Sequence, residues 1–133
     1  MRAKPTHSAE SGVISAFVLG LMMTFVVCAG LGVDGGLLIA NRLELADHAE
    51  NAARVGAQEL TDLRTGEPTI DENQARFSAS NYLATNDIDG EVSTTSKSVT
   101  VTVIRDVEMS LLKLFGATNH EITVTRTAEP SDR

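Results

Sequence analysis

The longest pattern in the chain is an apolar run from Gly12 to Val33, which contains 22 residues and no charged side chain. Because an α-helix rises 1.5 Å per residue, this run extends roughly 33 Å as a helix, enough for a hydrocarbon core of about 30 Å. No proline interrupts it. The pattern therefore predicts a transmembrane helix over residues 12–33, preceded by a short tail of residues 1–11.

After the apolar run the pattern becomes that of a helix with one buried side. Apolar and small residues recur at steps of three and four, in the order Leu45, Ala49, Ala52, Gly56, Leu60 and Leu63. This spacing keeps them on one side of a helix. Because Gly66 and Pro68 end the pattern, residues 34–64 are predicted to form an amphipathic stalk that continues the membrane helix.

A second, shorter helix is predicted at the start of the remaining segment, residues 65–133. Thr69 and Glu72 have the spacing of a capping box, which predicts that this helix begins at Thr69. Its narrow apolar face consists of Ala75, Ala79, Tyr82 and Leu83. Asp89 and Gly90 then mark a turn.

The rest of the segment predicts strands. A first strand is predicted over residues 92–95, and valine and isoleucine alternate with threonine over residues 99–103 and 122–125. An apolar stretch from Met109 to Phe115, closed by Gly116, predicts one or two helical turns. A segment this small needs another element to bury its core. We therefore expect an α+β fold in which a three-stranded antiparallel sheet packs its valine and isoleucine face on the stalk, with the threonine face toward solvent or another subunit.

The net charge of −7 is unevenly distributed along the chain. Arg2 and Lys4 precede the apolar run, whereas 17 acidic and 9 basic residues follow from Asp34 onward. The positive-inside rule places the tail in the cytoplasm and the acidic domain outside the cell membrane. Such an acidic domain repels phosphate groups, so nucleic acid is not an expected partner. The single cysteine, Cys28, cannot form an intrachain disulfide.

A secretory signal peptide is the competing interpretation of the apolar run. Small residues around Cys28, Ala29 and Gly30 offer a cleavage site. The apolar region of a signal peptide usually has about 7–15 residues, which is shorter than this run. Under the competing interpretation the chain is a secreted or signal-anchored binding domain.

Small residues recur at strict spacing of four along the predicted helix. This small-residue face consists of Gly12, Ala16, Gly20, Thr24, Cys28, Gly32, Gly36 and Ala40. Residues four apart lie nearly above one another, and a row of small side chains lets a second helix approach closely in lipid. Small residues are also common in membrane helices for no specific reason. Eight at one spacing favour helix–helix packing.

Few residues offer chemistry. Glu44, Asp47 and His48 share a helix face with metal-ligand spacing, but a solvated polar face is the more usual meaning of such a cluster. Asp34, at the end of the apolar run, is either hydrated or paired with a cation of another subunit. No phosphate loop, nucleophile elbow or paired-cysteine motif occurs. We therefore expect no enzyme activity, cofactor, metal or small-molecule substrate.

The stretch from Ala29 to Leu60, with its Val33-Asp34-x-Gly36 step and alanine-rich continuation, resembles the TadE/TadG-like proteins of Tad (Flp) pilus systems. The later order of a valine/threonine strand, the Leu-Phe-Gly of residues 114–116 and the Thr-Val-Thr-Arg-Thr-Ala of residues 123–128 also resembles that family. The resemblance covers roughly residues 11–128. It implies a non-catalytic minor pilin or pseudopilin, with membrane lipid and other pilin-like or pilus-assembly membrane proteins as partners.

The resemblance also implies a processing site, from which this chain departs. Processed pilin-like proteins carry a glutamate at the fifth residue after the glycine of the cleavage site. If cleavage falls between Gly12 and Val13, the fifth residue is Phe17. We therefore expect slow or absent cleavage, which favours a membrane-anchored assembly factor over a major pilin.

Overall fold

The computed structural model describes residues 7–61 and 69–130, with side chains described from residue 12 onward. Its first element, α1, runs from His7 to Ala57. Within the described residues, one segment of this helix is long and apolar enough to cross a membrane, by its length and composition. The predicted tail, residues 1–11, lies largely outside the described part of the chain.

The chain divides into two compact units. In the described residues the first unit comprises 7–36 together with 109–118, and the second comprises 37–61, 69–108 and 119–130. We call residues 109–118, which connect two strands, the apolar loop. It contains a 3₁₀ turn at Leu112–Phe115, as the sequence predicts.

In the second unit, α1 buries the predicted stripe. Leu45, Ala49 and Ala52 are fully buried and belong to one hydrophobic cluster with residues of the sheet and of the second helix. At Gly56 the helix packs closely on the rest of its domain, because a Cβ atom there would lie 3.0 Å from the carbonyl oxygen of Ala75. The small side chains of the stalk therefore serve to bring the helix close to its own domain.

The stalk helix is shorter than the sequence predicts. It ends at Ala57, where the prediction placed its end at residue 64. Leu60 and Thr61 instead form strand β1, which pairs antiparallel with β2, Thr69–Ile70. The main-chain N–H and C=O groups of Leu60 and Thr61 are part of this strand pairing and are not available for the hydrogen bonds of a longer helix. The prediction also used three residues that lie outside the described part of the chain, Leu63, Gly66 and Pro68.

The second helix, α2, runs from Glu72 to Thr85, so the predicted start at Thr69 is wrong. Its N-cap is Asp71, whose carboxylate accepts hydrogen bonds from the N–H groups of Asn73 and Gln74, both at 3.1 Å. An aspartate is a strong N-cap, and Thr69 is held in the β1–β2 ladder. The predicted apolar face is confirmed for its buried members, Ala75, Ala79 and Leu83.

The sheet is antiparallel, with the order β3–β4–β5, which confirms the predicted α+β fold. Strand β3 spans Gly90–Thr94, β4 spans Val99–Glu108 and β5 spans Asn119–Ala128. Val99, Val101 and Val103 on β4, with Ile122 and Val124 on β5, are buried in the cluster that contains the stalk residues.

On its other face the sheet carries threonine pairs that hydrogen-bond across strands. Thr100 contacts Thr127 and Thr102 contacts Thr125, each pair at 2.9 Å between hydroxyl oxygens. The alternation therefore places the side chains on the two faces as the sequence predicts.

Candidate functional site

The most specific polar arrangement in the first unit surrounds Asp34. Its side chain has no solvent-accessible surface. Oδ1 accepts hydrogen bonds from the N–H groups of Ser110 at 2.9 Å and Leu111 at 3.3 Å. Oδ2 accepts from the N–H groups of Leu111 at 3.0 Å and Leu112 at 2.7 Å. One carboxylate thus holds three consecutive main-chain donors of the apolar loop.

These donors need an external acceptor because of the local sequence. The 3₁₀ turn begins after Leu111, whose aliphatic side chain cannot cap it. The first N–H groups of any helical turn lack partners inside that turn. Gly116 closes the turn with a left-handed backbone, φ 94°, which a glycine adopts without strain. Asp34 is therefore the cap of a turn more than 70 residues away in sequence.

The hydrogen bonds fix the charge state of the carboxylate. The N–H donor of Leu112 lowers the pKa of Asp34, burial opposes it, and the donors of Ser110 and Leu111 lower it further. The net direction is downward from the ordinary value of 3.8. Asp34 is therefore an anion at neutral pH, and the partial positive charges of the N–H groups stabilise that anion.

Asp34 is occupied in a way that neither sequence hypothesis anticipated. Hydration is excluded for a side chain without accessible surface, and both oxygen atoms already accept hydrogen bonds from the same chain. The sequence did contain two signals, an acidic residue at the end of the apolar run and an apolar loop without its own cap. Nothing in the spacing linked them, because the contact depends on the β4–β5 hairpin.

One glycine lets the apolar loop pack directly on the helix. A Cβ atom at Gly30 would lie 3.3 Å from the Cβ atom of Leu111 and 3.6 Å from a terminal methyl group of Leu112. The first of these distances is tighter than an ordinary van der Waals contact. Among the described glycines of α1, Gly30 is therefore the one at which the helix packs against the apolar loop.

The small-residue face of α1 is open. A Cβ atom added at Gly12, Gly20, Gly32 or Gly36 would meet no atom within 4 Å among residues 7–61 and 69–130. The remaining members, Ala16, Thr24, Cys28 and Ala40, are exposed. The Thr24 hydroxyl donates to the carbonyl oxygen of Gly20 at 2.9 Å, so it adds no unsatisfied polar group to this face.

Around Gly32 and Gly36, the open face and the loop-bearing face are on opposite sides of the helix. At 100° per residue, Gly32 lies about 160° around the axis from Gly30, and Gly36 lies about 160° from Asp34. One side of α1 is thus used by its own chain in the first unit. The other side leaves its glycines uncovered.

The proposed processing residues lie on α1. Val13 and Phe17 are both exposed, and Gly12 has open space around it. The site is therefore not covered by the described part of the chain, and whether it is cleaved stays a prediction.

The polar residues with metal-ligand spacing have separate partners. Glu44 forms an ion pair with Arg105, with Nη1 to Oε1 at 3.2 Å, and His48 Nδ1 lies 3.4 Å from the hydroxyl of Tyr82. Within the described ranges, no group of three histidine, cysteine or acidic side chains has the geometry of a metal site.

Comparison with known proteins identifies one region of the chain. Residues 12–59 match the family Tad, described as "Putative Flp pilus-assembly TadE/G-like". Neither a search of curated proteins nor a search of solved structures returned a match. The family match confirms the resemblance recognised from the sequence over this segment. It covers the apolar run, the small-residue face, Asp34 and the stalk, and it supports a pilus-related role.

The match and the fold of α1 agree. A TadE/G-like segment whose first part is an apolar helix fits a membrane-anchored component of a pilus system. The matched segment contains Gly30 and Asp34, whereas the apolar loop that they hold lies outside it.

Proposed function

We propose that this protein is a non-catalytic, pilin-like component, a minor pilin or pseudopilin, that takes part in assembling a Tad-type surface pilus. The observation that carries the proposal is the TadE/G-like match over residues 12–59. That segment consists of a long helix with an apolar first part and a stalk packed on a small sheet. Such a helix suits a component that packs beside other helices in a membrane.

In this proposal residues 12–33 span the cytoplasmic membrane once. Residues 1–11 lie in the cytoplasm, and the stalk of residues 34–57 and the domain that follows lie outside. Support comes from Arg2 and Lys4 before the apolar run and from the acidic balance after it. A reporter enzyme that is active only outside the cytoplasm, fused after Glu129, is expected to be active. An inactive reporter at normal expression would contradict this orientation.

The small-residue face is the proposed contact for partner helices, either other pilin-like proteins or membrane proteins of the assembly machinery. Gly32 and Gly36 are its closest pair of glycines at this spacing, and no atom of the described chain covers them. In lipid, helices associate mainly through close packing, for which glycine leaves the necessary room. The proposal therefore assigns binding to the side of α1 opposite Asp34.

The protein is proposed to remain uncleaved as an assembly factor. Phe17 stands where processed pilin-like proteins carry glutamate, and it is exposed on α1. Mass spectrometry of the mature N-terminus is expected to show no cut between Gly12 and Val13. Phe17→Glu is expected to restore cutting there. Efficient cutting of the unchanged chain would contradict the assignment.

The proposed function is tested by replacing part of the helix in the native host. Deleting the gene is expected to abolish surface pili, and the unchanged gene to restore them. A variant in which residues 12–26 are replaced by an unrelated apolar helix, and Gly32 and Gly36 by leucine, keeps Gly30 and Asp34 intact. It is expected to reach the membrane but to restore few or no pili. Full restoration would favour the alternative, a signal-anchored binding domain whose helix serves only for targeting.

A further inference from the structure

The apolar loop exposes large hydrophobic side chains at its tip. Leu114 is 77% exposed and Phe115 is 52% exposed. The ten residues of the loop carry a single charged side chain, that of Lys113. An exposed leucine–phenylalanine pair in a domain with few aromatic residues needs an apolar environment, because exposing it to water costs free energy.

The position of the loop along α1 indicates what that environment is. Leu111 and Leu112 pack at Gly30, three residues inside the end of the charge-free run at Val33. Asp34 holds the loop four residues further along the helix, about 6 Å along its axis. The loop is thus attached to the last turns of the segment that is apolar enough to cross a membrane. A loop held there lies at the level where the helix passes from lipid to water.

The main chain of the loop is suited to such a place. Buried or lipid-facing N–H groups need partners, because lipid offers none. The N–H groups of Ser110, Leu111 and Leu112 donate to Asp34. Further N–H groups donate to carbonyl oxygens within the loop, those of Met109, Leu114, Gly116 and Ala117. The loop therefore presents apolar side chains with most of its N–H donors already satisfied.

The charge of the loop fits the same surface. Lys113 is exposed between Leu112 and Leu114. A lysine beside apolar side chains extends its ammonium group toward the lipid phosphates while its methylene groups remain in apolar surroundings. The chain from Asp34 onward is otherwise strongly acidic. The single charge of the loop is nevertheless positive, which is the sign that lipid phosphates attract.

We propose that the apolar loop is a second membrane contact, in which Leu114 and Phe115 insert into the lipid–water interface beside the exit of α1 and Asp34 fixes the loop at that depth. The occupant of this surface is the lipid bilayer. The proposal rests on residues 12–33 spanning the membrane, and it adds a lipid-binding surface outside the family match.

The absence of tryptophan from the chain gives a direct test. Single variants Phe115→Trp, Phe25→Trp and Phe77→Trp each introduce one fluorophore at an exposed phenylalanine. The full-length variants are reconstituted into phosphatidylcholine vesicles, with and without bromine on the acyl chains, and are also titrated with iodide from the water phase. Phe25 lies within the apolar run and reports insertion of the helix. Phe77, on α2, is the matched control for an exposed phenylalanine away from the loop.

The proposal predicts that brominated lipid quenches Phe115→Trp strongly and that iodide does not, as for Phe25→Trp. Phe77→Trp shows the reverse behaviour. In the Phe115→Trp background, Asp34→Asn is expected to reduce quenching by brominated lipid and to increase quenching by iodide, because the loop loses its attachment.

Each other outcome overturns the proposal in a distinguishable way. If iodide quenches Phe115→Trp while brominated lipid quenches Phe25→Trp, the helix spans the membrane but the loop stays in water. If neither agent quenches Phe115→Trp, another protein surface or a second copy covers the loop. If brominated lipid fails to quench Phe25→Trp, the membrane span itself is wrong, and the lipid contact of the loop falls with it.

Discussion

The two halves of α1 use small residues in opposite ways. In the stalk, a Cβ atom at Gly56 would meet the Ala75 carbonyl oxygen at 3.0 Å and a methyl group of Val99 at 3.1 Å. In the apolar half, a Cβ atom at Gly32 would meet no atom of the described residues within 4 Å, and the same holds at Gly36, in the first turn of the stalk. The same residue type is therefore packed against its own domain in one half and left uncovered in the other.

The role of a small residue on a helix depends on whether other parts of the chain cover it. A covered glycine is explained by the fold of the chain itself, whereas the described residues place no atom against the open glycines of the apolar helix. Gly30 completes the comparison, because it lies in the apolar half and is covered by the apolar loop. Intrachain packing thus accounts for Gly30 and Gly56, whereas the described residues leave Gly32 and Gly36 uncovered, as the proposed partner contact requires.

The largest expected effect is on stability, and it distinguishes the two kinds of glycine. Gly56→Leu adds a whole side chain where a Cβ atom alone already lies within 3.1 Å of main-chain and valine atoms. This overpacking is expected to cost about 3 kcal/mol and on the order of 10 °C in Tm. Thermal unfolding of the detergent-solubilised protein, followed by circular dichroism, measures it.

Gly32→Leu is the matched control, because it adds the same atoms at an open position. Its Tm is expected to remain within about 2 °C of the unchanged protein. Equal losses for the two variants would show that Gly32 is covered within the chain and would remove the contrast.

The next effect is local and concerns Asp34. Asp34→Asn replaces an acceptor oxygen by an amide donor that faces main-chain N–H groups, so the loop is expected to detach. Hydrogen exchange of the Ser110, Leu111 and Leu112 amides should become faster on the order of tenfold or more. Amides in the middle of the β4–β5 ladder, such as that of Val103, should keep their rates. Unchanged exchange at the three loop amides would contradict the assigned hydrogen bonds.

A pH titration sharpens the same point. Because the main-chain donors lower the pKa of Asp34, its hydrogen bonds stabilise the folded chain fully above the ordinary value of 3.8 and are lost as pH falls through the lowered value. The amide NMR signals of Ser110, Leu111 and Leu112 are therefore expected to stay constant from about pH 7 to 5 and to move only below about 3.8. Movement between pH 5 and 7 would show that burial dominates instead.

The smallest effect concerns the polar side of the stalk. Glu50 pairs with Arg54 one turn later; the Arg54 side chain is exposed and that of Glu50 is about half exposed. Glu50→Gln is expected to lower the free energy of unfolding by only about 0.3 kcal/mol. A loss near that of Gly56→Leu in the same unfolding measurement would mean that the stalk is held by its charges rather than by its small residues.

The sequence predicted those parts of the fold that follow from periodicity. The stripe of Leu45, Ala49 and Ala52 and the alternation of Val99, Val101 and Val103 each have one buried face, and one-dimensional patterns record that directly. Where several local signals competed, the prediction failed. Asp71 overrode the capping signal of Thr69, and strand pairing of Leu60 ended the stalk early.

The hydrogen bonds of Asp34 could not be predicted from the sequence, for a different reason. Its partners are main-chain N–H groups, which every residue except proline carries, so no side-chain motif marks them. Only the closure of the β4–β5 hairpin brings Ser110 to Leu112 to the carboxylate. The open face, by contrast, was visible in the sequence as a spacing. The structure adds that a Cβ atom at Gly32 or Gly36 would meet no atom of the described residues within 4 Å.

The most direct test of the partner surface is the double variant Gly32→Leu with Gly36→Leu, compared with Val26→Leu with Val33→Leu in the native host. Both valines are exposed on the same helix and are not members of the small-residue face. Both variants are expected to reach the membrane at normal levels. The glycine variant is predicted to lose co-purifying pilus-assembly proteins and surface pili, and the valine variant to keep both. Normal pili and partners in the glycine variant would show that the open face binds nothing.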